Sequence, residues 1–356
     1  MNTYLKLSVV RLLLLGLSIF TLPAFSSEPE AGGVASTPVE FIKRPEVREF
    51  IQTMHEKHGF DTAQLQKWFT EVHPRPDIIA AISNPAEAKP WHYYRKIFLT
   101  DTRIRGGIEF WDQHADLLAR AEKQSGVPAR ILVAILGVET LYATRFGKHP
   151  VLESLATLAF DYPKRAPFFR SELEQFLLLA REEQVDPLQL RGSYAGAMGG
   201  PQFISSSFRR YAVDFDQDGK RDIWGNPADM IGSVANYFEK HGWVTGMPIA
   251  TMATVQGDRY EKILDIGLKP EHPLSELAKY GITPKQAVEG DPKAALISLE
   301  TENGNQYWLG MQNFYVITRY NHSALYAMAV YQLSESIAAG RTAGATAHPA
   351  ASNAGS

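Results

Sequence analysis

The sequence predicts a mainly α (α+β) fold with more than one domain. The chain has 356 residues, which is enough for two or three domains and a sizeable core. Its 45% hydrophobic and 21% charged residues are typical of a folded protein, which excludes a disordered chain and a multi-span membrane protein. Apolar residues recur at helical spacing along most of the chain, and β-favouring runs are confined to one segment.

Helical periodicity dominates the region 45–247. Pro128 and Pro227 stand where a first helical turn tolerates proline, and Gly147 and Gly242 stand where helices stop. With these boundaries the periodicity predicts helices at 45–58, 61–72, 108–125, 128–144, 151–160, 167–183 and 227–241.

The pattern changes between residues 248 and 310. Short β-favouring runs at 251–255, 295–299 and 305–309 alternate with Pro- and Gly-rich connections and one helical stretch at 274–280. This segment is expected to be a small α/β insertion. Helical periodicity returns at 323–339, so we expect the region 311–338 to pack back onto the helical region 45–247.

The two ends predict segments outside the folded body. Lys6 and Arg11, a short apolar run and then small residues up to Ser26 indicate an export signal at 1–26, because the run is well short of the ~20 residues of a membrane span. Residues 27–44 are expected to form a linker, and residues 339–356 a flexible tail. The mature protein is therefore expected to be periplasmic, without stable membrane insertion.

Charge and cysteine content exclude several classes of function. A formal net charge of -3 has the wrong sign for a nucleic-acid binder, which needs clustered Lys and Arg. The chain has no Cys, which excludes disulfides, thiolate metal sites, cysteine nucleophiles and a lipid attached through a lipobox cysteine. Oxygen and nitrogen groups must therefore carry the chemistry.

One acidic residue lies on an apolar helix face. Glu139 falls within the stripe of Leu132, Ile135, Leu136 and Ala143, which a globular helix buries. Burial disfavours an ionised carboxylate and raises its pKa, and a carboxyl that keeps its proton near neutral pH can protonate a glycosidic oxygen. The alternative is a structural role, in which Glu139 pairs with a buried Arg, Lys or backbone donor.

A glycine-rich segment follows at 191–203. Its glycines at 192, 196, 199 and 200 lack the Lys-Ser/Thr ending of a phosphate-binding loop. Glycine lets the backbone approach a ligand closely, and neighbouring Ser193, Tyr194 and Gln202 suit a sugar. A tight turn between helices is the alternative.

An acidic loop begins at Asp214. Carboxylates occupy positions one, three, five and nine, with Gly219 at six and the Lys220 carbonyl at seven, as in the first half of an EF-hand loop. Position twelve is Gly225, which has no carboxylate, but Asp229 can close an expanded loop or cap the following helix. The loop predicts a structural Ca²⁺ site with ligands Asp214, Asp216, Asp218, Lys220 and Asp229; a contribution from Asp222 stays open.

These segments together resemble the lytic murein transglycosylase B family over about residues 50–333. The resemblance is carried by Gly137-Val-Glu-Thr, the glycine-rich segment, the acidic loop, Ser233-Val-Ala-Asn-Tyr-Phe and Arg319-Tyr-Asn-His-Ser. It implies a lysozyme-like helical core with an added helical domain, a small β-containing domain and calcium in an expanded EF-hand loop. It also implies that Glu139 is the single catalytic acid and base, and that the glycan groove is lined by Ser193, Gln202, Tyr237, Tyr320, Asn321, Tyr326 and, as a weaker match, Tyr94.

The resemblance implies cleavage of the MurNAc-GlcNAc β-1,4 bond of peptidoglycan without water, giving 1,6-anhydro-MurNAc ends. Because this chain has no Cys, it is expected to be a soluble periplasmic form with glycan strands as its partner. A hydrolytic muramidase is one alternative and would need a second carboxylate, with Asp161, Glu153 and Glu172 as candidates. A non-catalytic, calcium-stabilised peptidoglycan-binding module is the other.

Overall fold

The computed structural model describes residues 38–83, 89–264 and 266–347. The expected mainly helical fold with a small β-containing part is confirmed. The export signal at 1–26, residues 27–37 and residues 348–356 lie outside the described residues. The helices before the sheet are α1 (Pro38–Phe41), α2 (Pro45–His58), α3 (Thr62–Thr70), α4 (Pro76–Ser83), α5 (Trp91–Phe98), α6 (Asp101–Gln113), α7 (Ala115–Ser125), α8 (Ala129–Thr140), α9 (Val151–Asp161), α10 (Ala166–Glu182), α11 (Ser205–Tyr211) and α12 (Pro227–Lys240).

Helix α8 lies at the centre of the helical region. Almost all of its residues are buried, as expected for a run of Ile, Leu, Val and Ala that is apolar on every side. It packs against α6, α7, α12 and, from the C-terminal part of the chain, a helix at 324–347. The end of α8, where Glu139 lies, is therefore held by elements from distant parts of the chain.

The N-terminal helices α1, α2 and α4 pack on α9, while α3 packs on α1 and α2. Phe41 of α1 and Phe50 of α2 both meet the ring of Phe160, with ring centroids 5.7 and 6.0 Å apart. The expectation of a linker through residue 44 was wrong for its last part. Phe41 is fully buried, so the hydrophobic effect attaches residues 38–44 to the helical core.

A five-stranded antiparallel sheet forms the β-containing part. Its strands are β3 (Ala250–Val255), β4 (His272–Pro273), β5 (Ile282–Pro284), β6 (Lys293–Thr301) and β7 (Gly304–Gly310), in the order β4-β6-β7-β3-β5, with α13 (Leu274–Lys279) beside them. Strands β1 (His149–Pro150) and β2 (Arg191–Gly192) pair separately. Along β6, Leu296 joins the sheet's own core while Ile297 and Leu299 join the main core, since successive side chains point to opposite faces.

The last two helices return to the helical core. They are α14 (Gln312–Tyr320) and α15 (Ala324–Ala347). The expectation of a flexible tail from residue 339 was wrong for 339–347, which continue α15. Ile337 is fully buried, and a methyl group at Gly340 would lie 2.8 Å from Ile108, so the small residues of this segment let it lie close to α6. Neither α15 nor any other helix in the described ranges is long and apolar enough to cross a membrane.

Candidate active site

Glu139 lies one residue before the end of α8. The residue as a whole is half-buried, but its carboxyl group is buried, and its Oε1 accepts a hydrogen bond from the hydroxyl of Tyr326 on α15. Burial raises the pKa of Glu139 to about 7, and the Tyr326 hydrogen bond offsets part of that rise because it favours the charged carboxylate. Glu139 can therefore hold or release a proton near neutral pH.

Tyr320 and Tyr237 form with Tyr326 a group that we call the tyrosine wall. The hydroxyl of Tyr320 donates to the carbonyl of Pro201 at 2.5 Å, and the hydroxyl of Tyr237 donates to the carbonyl of Arg319 at 2.5 Å. The Tyr320 and Tyr237 rings have centroids 4.7 Å apart. Burial raises the pKa of Tyr320 and Tyr326 well above the ordinary range, and the negative charge of Glu139 raises both further. These hydroxyls therefore remain protonated donors.

Tyr94 and Asn321 lie close to this wall. Tyr94 on α5 is 9% exposed, and it adds to the raised pKa of Tyr326. Asn321 directly follows α14 and is 3% exposed. Its Oδ1 is buried and accepts no hydrogen bond from any residue that the structure describes. A buried acceptor of this kind is costly unless a ligand or water supplies a donor.

The glycine-rich segment runs beside the end of α8. Thr140 donates from Oγ1 to the carbonyl of Gly200 at 3.0 Å, which ties the segment to the residue after Glu139. Gly147 is required here, because it has φ 88° and a Cβ would lie 2.2 Å from the carbonyl oxygen of Gly192. The tie and the close backbone approach bring the segment to the Glu139 end of the helix.

Ser193 and Gln202 shape this segment internally. The Oγ of Ser193 accepts from the backbone N–H groups of Ala195 and Ala197 at 3.2 and 3.0 Å. The Nε2 of Gln202 donates to the carbonyl of Gly199 at 2.9 Å, and Gln202 itself has φ 51°. Within the described residues, neither side chain hydrogen-bonds to Glu139.

The three carboxylates considered as partners for a hydrolytic mechanism are bound elsewhere. Asp161 accepts from Arg44 at 2.6 Å, and Glu153 accepts from Arg75 at 3.4 Å. Glu172 is buried on α10 and accepts a backbone N–H at the start of α11 at 3.0 Å. Each of these three carboxylates therefore has a partner other than Glu139 within the described residues.

The acidic loop gathers three carboxylates. Ligand-capable oxygens of Asp214, Asp216 and Asp229 lie within 4.8 Å of one another. Asp229, in the first turn of α12, is fully buried and accepts the backbone N–H groups of Phe215 and Asp222, both at 2.7 Å. Burial raises the pKa of Asp229 to about 6, and the charges of Asp216 and Asp214 add to the rise. Three hard oxygen donors at this spacing fit a cation such as Ca²⁺.

The other predicted ligands are placed differently. Asp218 accepts the backbone N–H of Lys220 at 2.9 Å and lies outside the three-carboxylate group. Asp222 accepts the N–H groups of Trp224 and Gly225, at 2.9 and 2.8 Å, and so caps a turn. The predicted ligands that the structure brings together are therefore Asp214, Asp216 and Asp229.

Two residues of this region were missed by sequence reasoning. Thr140 joins α8 to the glycine-rich segment, and the buried Arg103 donates to the carbonyl of Gly137 at 2.8 Å. The signal for Arg103 was present, because it shares the buried stripe of α6 with Gly107 and Phe110. The argument that identified Glu139, a charged residue on an apolar face, applies equally to Arg103.

Comparisons with known proteins agree with this arrangement. A family model described as the transglycosylase SLT domain matches residues 43–335. The membrane-bound lytic murein transglycosylase B of Escherichia coli strain K12 is 46% identical over 312 residues, which is 85% of each chain.

Solved structures show the same fold. The crystal structure of the soluble lytic transglycosylase SltB1 from Pseudomonas aeruginosa superposes with a TM-score of 0.80 at 52% identity, covering 84% of this chain and 100% of that one. The Escherichia coli lytic transglycosylase Slt35 in complex with calcium superposes with a TM-score of 0.79 at 46% identity, covering 85% and 96%. From the family match over most of its length and these relatives, the chain belongs to the transglycosylase SLT domain family and is a lytic murein transglycosylase, a lyase that acts on peptidoglycan.

Proposed function

We propose that Glu139 is the single general acid and general base of a water-independent cleavage of the MurNAc-GlcNAc β-1,4 bond. The observation that carries the proposal is a carboxyl with a pKa of about 7 at the end of a buried helix, held by a tyrosine hydroxyl. A group that titrates near the working pH can donate and accept a proton in consecutive steps.

The two steps balance without water. Protonated Glu139 gives its proton to the glycosidic oxygen, and the bond between that oxygen and C1 of MurNAc breaks. The carboxylate then takes the proton of the C6 hydroxyl of the same sugar, and O6 bonds to C1 to close the 1,6-anhydro ring. Because the nucleophile is tethered to the substrate, one carboxylate is sufficient. The binding of Asp161, Glu153 and Glu172 to other groups of the described chain supports this scheme over a hydrolytic one.

We propose that the tyrosine wall and its neighbours bind the glycan strand. Tyr rings offer flat apolar faces to sugar rings, while side-chain amides and hydroxyls pair with sugar hydroxyls. The unpaired Oδ1 of Asn321 supports a substrate contact at that position, since a sugar hydroxyl or amide would supply its donor. The proposed groove residues are Ser193, Gln202, Tyr237, Tyr320, Asn321, Tyr326 and Tyr94.

We further propose that the acidic loop holds a structural Ca²⁺. Asp214, Asp216 and Asp229 would supply carboxylate oxygens, with Asp218 and the Lys220 carbonyl completing the set after a small change of the loop. The raised pKa of Asp229 supports the proposal, because burial and, to a smaller extent, the charges of Asp216 and Asp214 disfavour its ionised form, which a cation would favour. The site would stabilise the start of α12.

The place of action follows from the substrate class. We infer that the protein acts in the periplasm as an exported form that is not a lipoprotein, with peptidoglycan glycan strands as its partner. The support is the family's activity on peptidoglycan together with the absence of Cys from the sequence. The export signal at 1–26 stays a prediction.

The test is mass spectrometry of the products released from purified peptidoglycan. Wild-type protein is expected to release muropeptides lighter by one water than those of a hydrolase, and Glu139→Gln is expected to release none. Hydrated products from the wild type would support a muramidase. Equal release by the wild type and Glu139→Gln would contradict the role of Glu139, and strand binding without release by either would favour a binding module.

A further inference from the structure

The backbone directly after Glu139 makes an unusual turn. Helix α8 ends at Thr140, and the next three residues, Leu141, Tyr142 and Ala143, have φ of 51°, 59° and 61°. This is the left-handed region, which residues other than Gly visit rarely and mostly one at a time. Three consecutive residues in this region require surroundings that hold them there, and such strain concentrates at functional sites.

The side chain of Tyr142 holds this turn in place. Its ring fits a slot between α6 and α8 that exists because three positions are glycine. A methyl group would lie 3.0 Å from the ring at Gly106, 2.7 Å from the hydroxyl at Gly107 and 2.6 Å from the ring at Gly137. The ring also stacks on Phe110, with centroids 5.8 Å apart. The three glycines therefore leave the room that the tyrosine ring occupies.

Arg103 locks the ring and the helix together. The Tyr142 hydroxyl donates to the carbonyl of Arg103 at 2.5 Å. The buried guanidinium of Arg103 donates to the carbonyl of Gly137 at 2.8 Å and to that of Ile97 at 2.6 Å. Gly137 is two residues before Glu139, and a cation at this C-terminal end also interacts favourably with the helix dipole. The last turn of α8 is thus braced from both sides of the catalytic residue.

We propose that Tyr142, through this brace with Arg103, is a positioning residue that sets where the Glu139 carboxyl sits. Tyr142 hydrogen-bonds to Arg103 and the brace continues to Gly137, so its effect on the reaction passes through the end of α8. The Tyr326 hydroxyl holds the Glu139 carboxyl directly, while the Tyr142 brace holds the backbone that carries it. The proposal rests on the role of Glu139 given above.

The experiment compares Tyr142→Phe with wild type on soluble uncrosslinked glycan strands. Loss of the hydroxyl frees the turn, so we expect kcat to fall about 10-fold while KM changes by less than about two-fold, since misplacing a catalytic group costs rate more than binding. The alkaline limb of the pH profile is expected to move to lower pH, because a displaced Glu139 is more hydrated and its pKa falls toward the ordinary value. A purely structural role would lower the melting temperature and leave this limb in place.

Two further variants keep the test decisive. Gly106→Ala adds a methyl that pushes the Tyr142 ring by a few tenths of an ångström, yet Ala favours helix α6 more than Gly does. We expect it to lower kcat without lowering the melting temperature. Tyr260→Phe removes a hydroxyl contact to Tyr307 in the sheet and is the matched control, with wild-type kcat expected.

The outcomes separate this inference from the proposed function. Wild-type kcat and an unmoved alkaline limb in both Tyr142→Phe and Gly106→Ala would overturn the positioning role. If instead Glu139→Gln retains full activity, the role of Glu139 itself fails. Equal losses in Tyr260→Phe and Tyr142→Phe would show that any lost tyrosine hydroxyl has this effect, and would also overturn the inference.

Discussion

The end of α8 and the start of α12 each hold an acidic side chain whose pKa is raised mainly by burial, but the neighbouring groups that act on the two side chains differ. The pKa of Glu139 reaches about 7 because burial disfavours its charge, and the Tyr326 hydroxyl opposes this rise. Asp229 reaches about 6 because burial is joined by the charges of Asp216 and Asp214. On the proposals above, the first site would lower its energy by keeping a proton, and the second by binding a cation. Similar pKa shifts thus accompany a proposed catalytic acid in one place and a proposed metal site in the other.

The largest expected effect removes the proton carrier. Glu139→Gln keeps the shape of the side chain but cannot donate or accept a proton, so the rate is expected to fall about 10³-fold, within the range of general acid-base catalysis. Far-ultraviolet circular dichroism should show an unchanged helical fold. A variant with more than a tenth of wild-type activity would contradict the catalytic role of Glu139.

The second prediction concerns stability and pH. The folded pKa of Glu139 is raised from its ordinary value of 4.5 to about 7, so the folded state binds this proton more tightly than the unfolded state does. The group therefore imposes no penalty below pH 4.5, and stability is lost as the pH rises from 4.5 to 7, by roughly 3 kcal/mol at 1.36 kcal/mol per pKa unit.

Urea unfolding at several pH values measures this pH-dependent loss of stability. Glu139→Gln lacks it, so the stability of the variant relative to wild type is expected to grow between pH 4.5 and 7 and then stay constant. A stability difference that does not change with pH would show that Glu139 is not held in its neutral form.

The third prediction concerns the proposed Ca²⁺ site at the start of α12. Chelation is expected to lower the melting temperature. Ca²⁺ at 100 times its Kd is expected to add about 2.7 kcal/mol to the free energy of unfolding. Asp229→Asn should abolish the response to added Ca²⁺, because it removes the charge of the buried member of the group. Glu302→Gln, at an exposed ion pair with Lys96, is the matched control and should keep the response. A full Ca²⁺ response in Asp229→Asn would contradict the site.

The smallest expected effect concerns the hydrogen bond from Tyr326 to Glu139. Tyr326→Phe removes a hydrogen bond that favours the charged carboxylate, so the pKa of Glu139 should rise further and the alkaline limb should move to higher pH. The rate at the optimum is expected to fall about 10-fold, consistent with the loss of one hydrogen bond to a charged group. This shift has the opposite sign to that expected for Tyr142→Phe, and equal signs would show that the two tyrosines act in the same way.

Long periodic helices could be read from the sequence, while several short ones could not. The pattern at 45–58 and 227–241 places α2 and α12 within a residue of their observed bounds. Helices α4, α5, α11 and α14 have seven to nine residues and were not predicted. Helices of this length are marginal in isolation, and tertiary burial of residues such as Trp91 and Phe314 stabilises them. Tyr94 on α5 was accordingly assigned by resemblance alone.

Helix ends show the same dependence on tertiary structure. The helix predicted at 108–125 is divided into α6 and α7 at His114, which has φ -121°. The helix predicted at 128–144 ends at Thr140, because Leu141 enters the left-handed region. Neither break has a glycine or proline to mark it, since the Tyr142 slot that holds the second break is built from glycines on two helices.

Residue types and local spacing were determined by the sequence alone. They include an acidic residue on the apolar stripe of α8, carboxylates spaced two apart in the acidic loop, and a chain without Cys. Each depends on periodicity over a few residues, which a helix or a loop converts directly into a shared face or a shared centre.

Only the tertiary structure decided which of these groups meet. Tyr326 is 187 residues from the Glu139 that it contacts, and the three-carboxylate group includes Asp229 rather than the nearer Asp218. Such contacts arise from how α8, α12 and α15 pack, and no local spacing encodes that packing. The physical reason is that burial, which sets the pKa of both acids, is a property of the assembled core and not of any one segment.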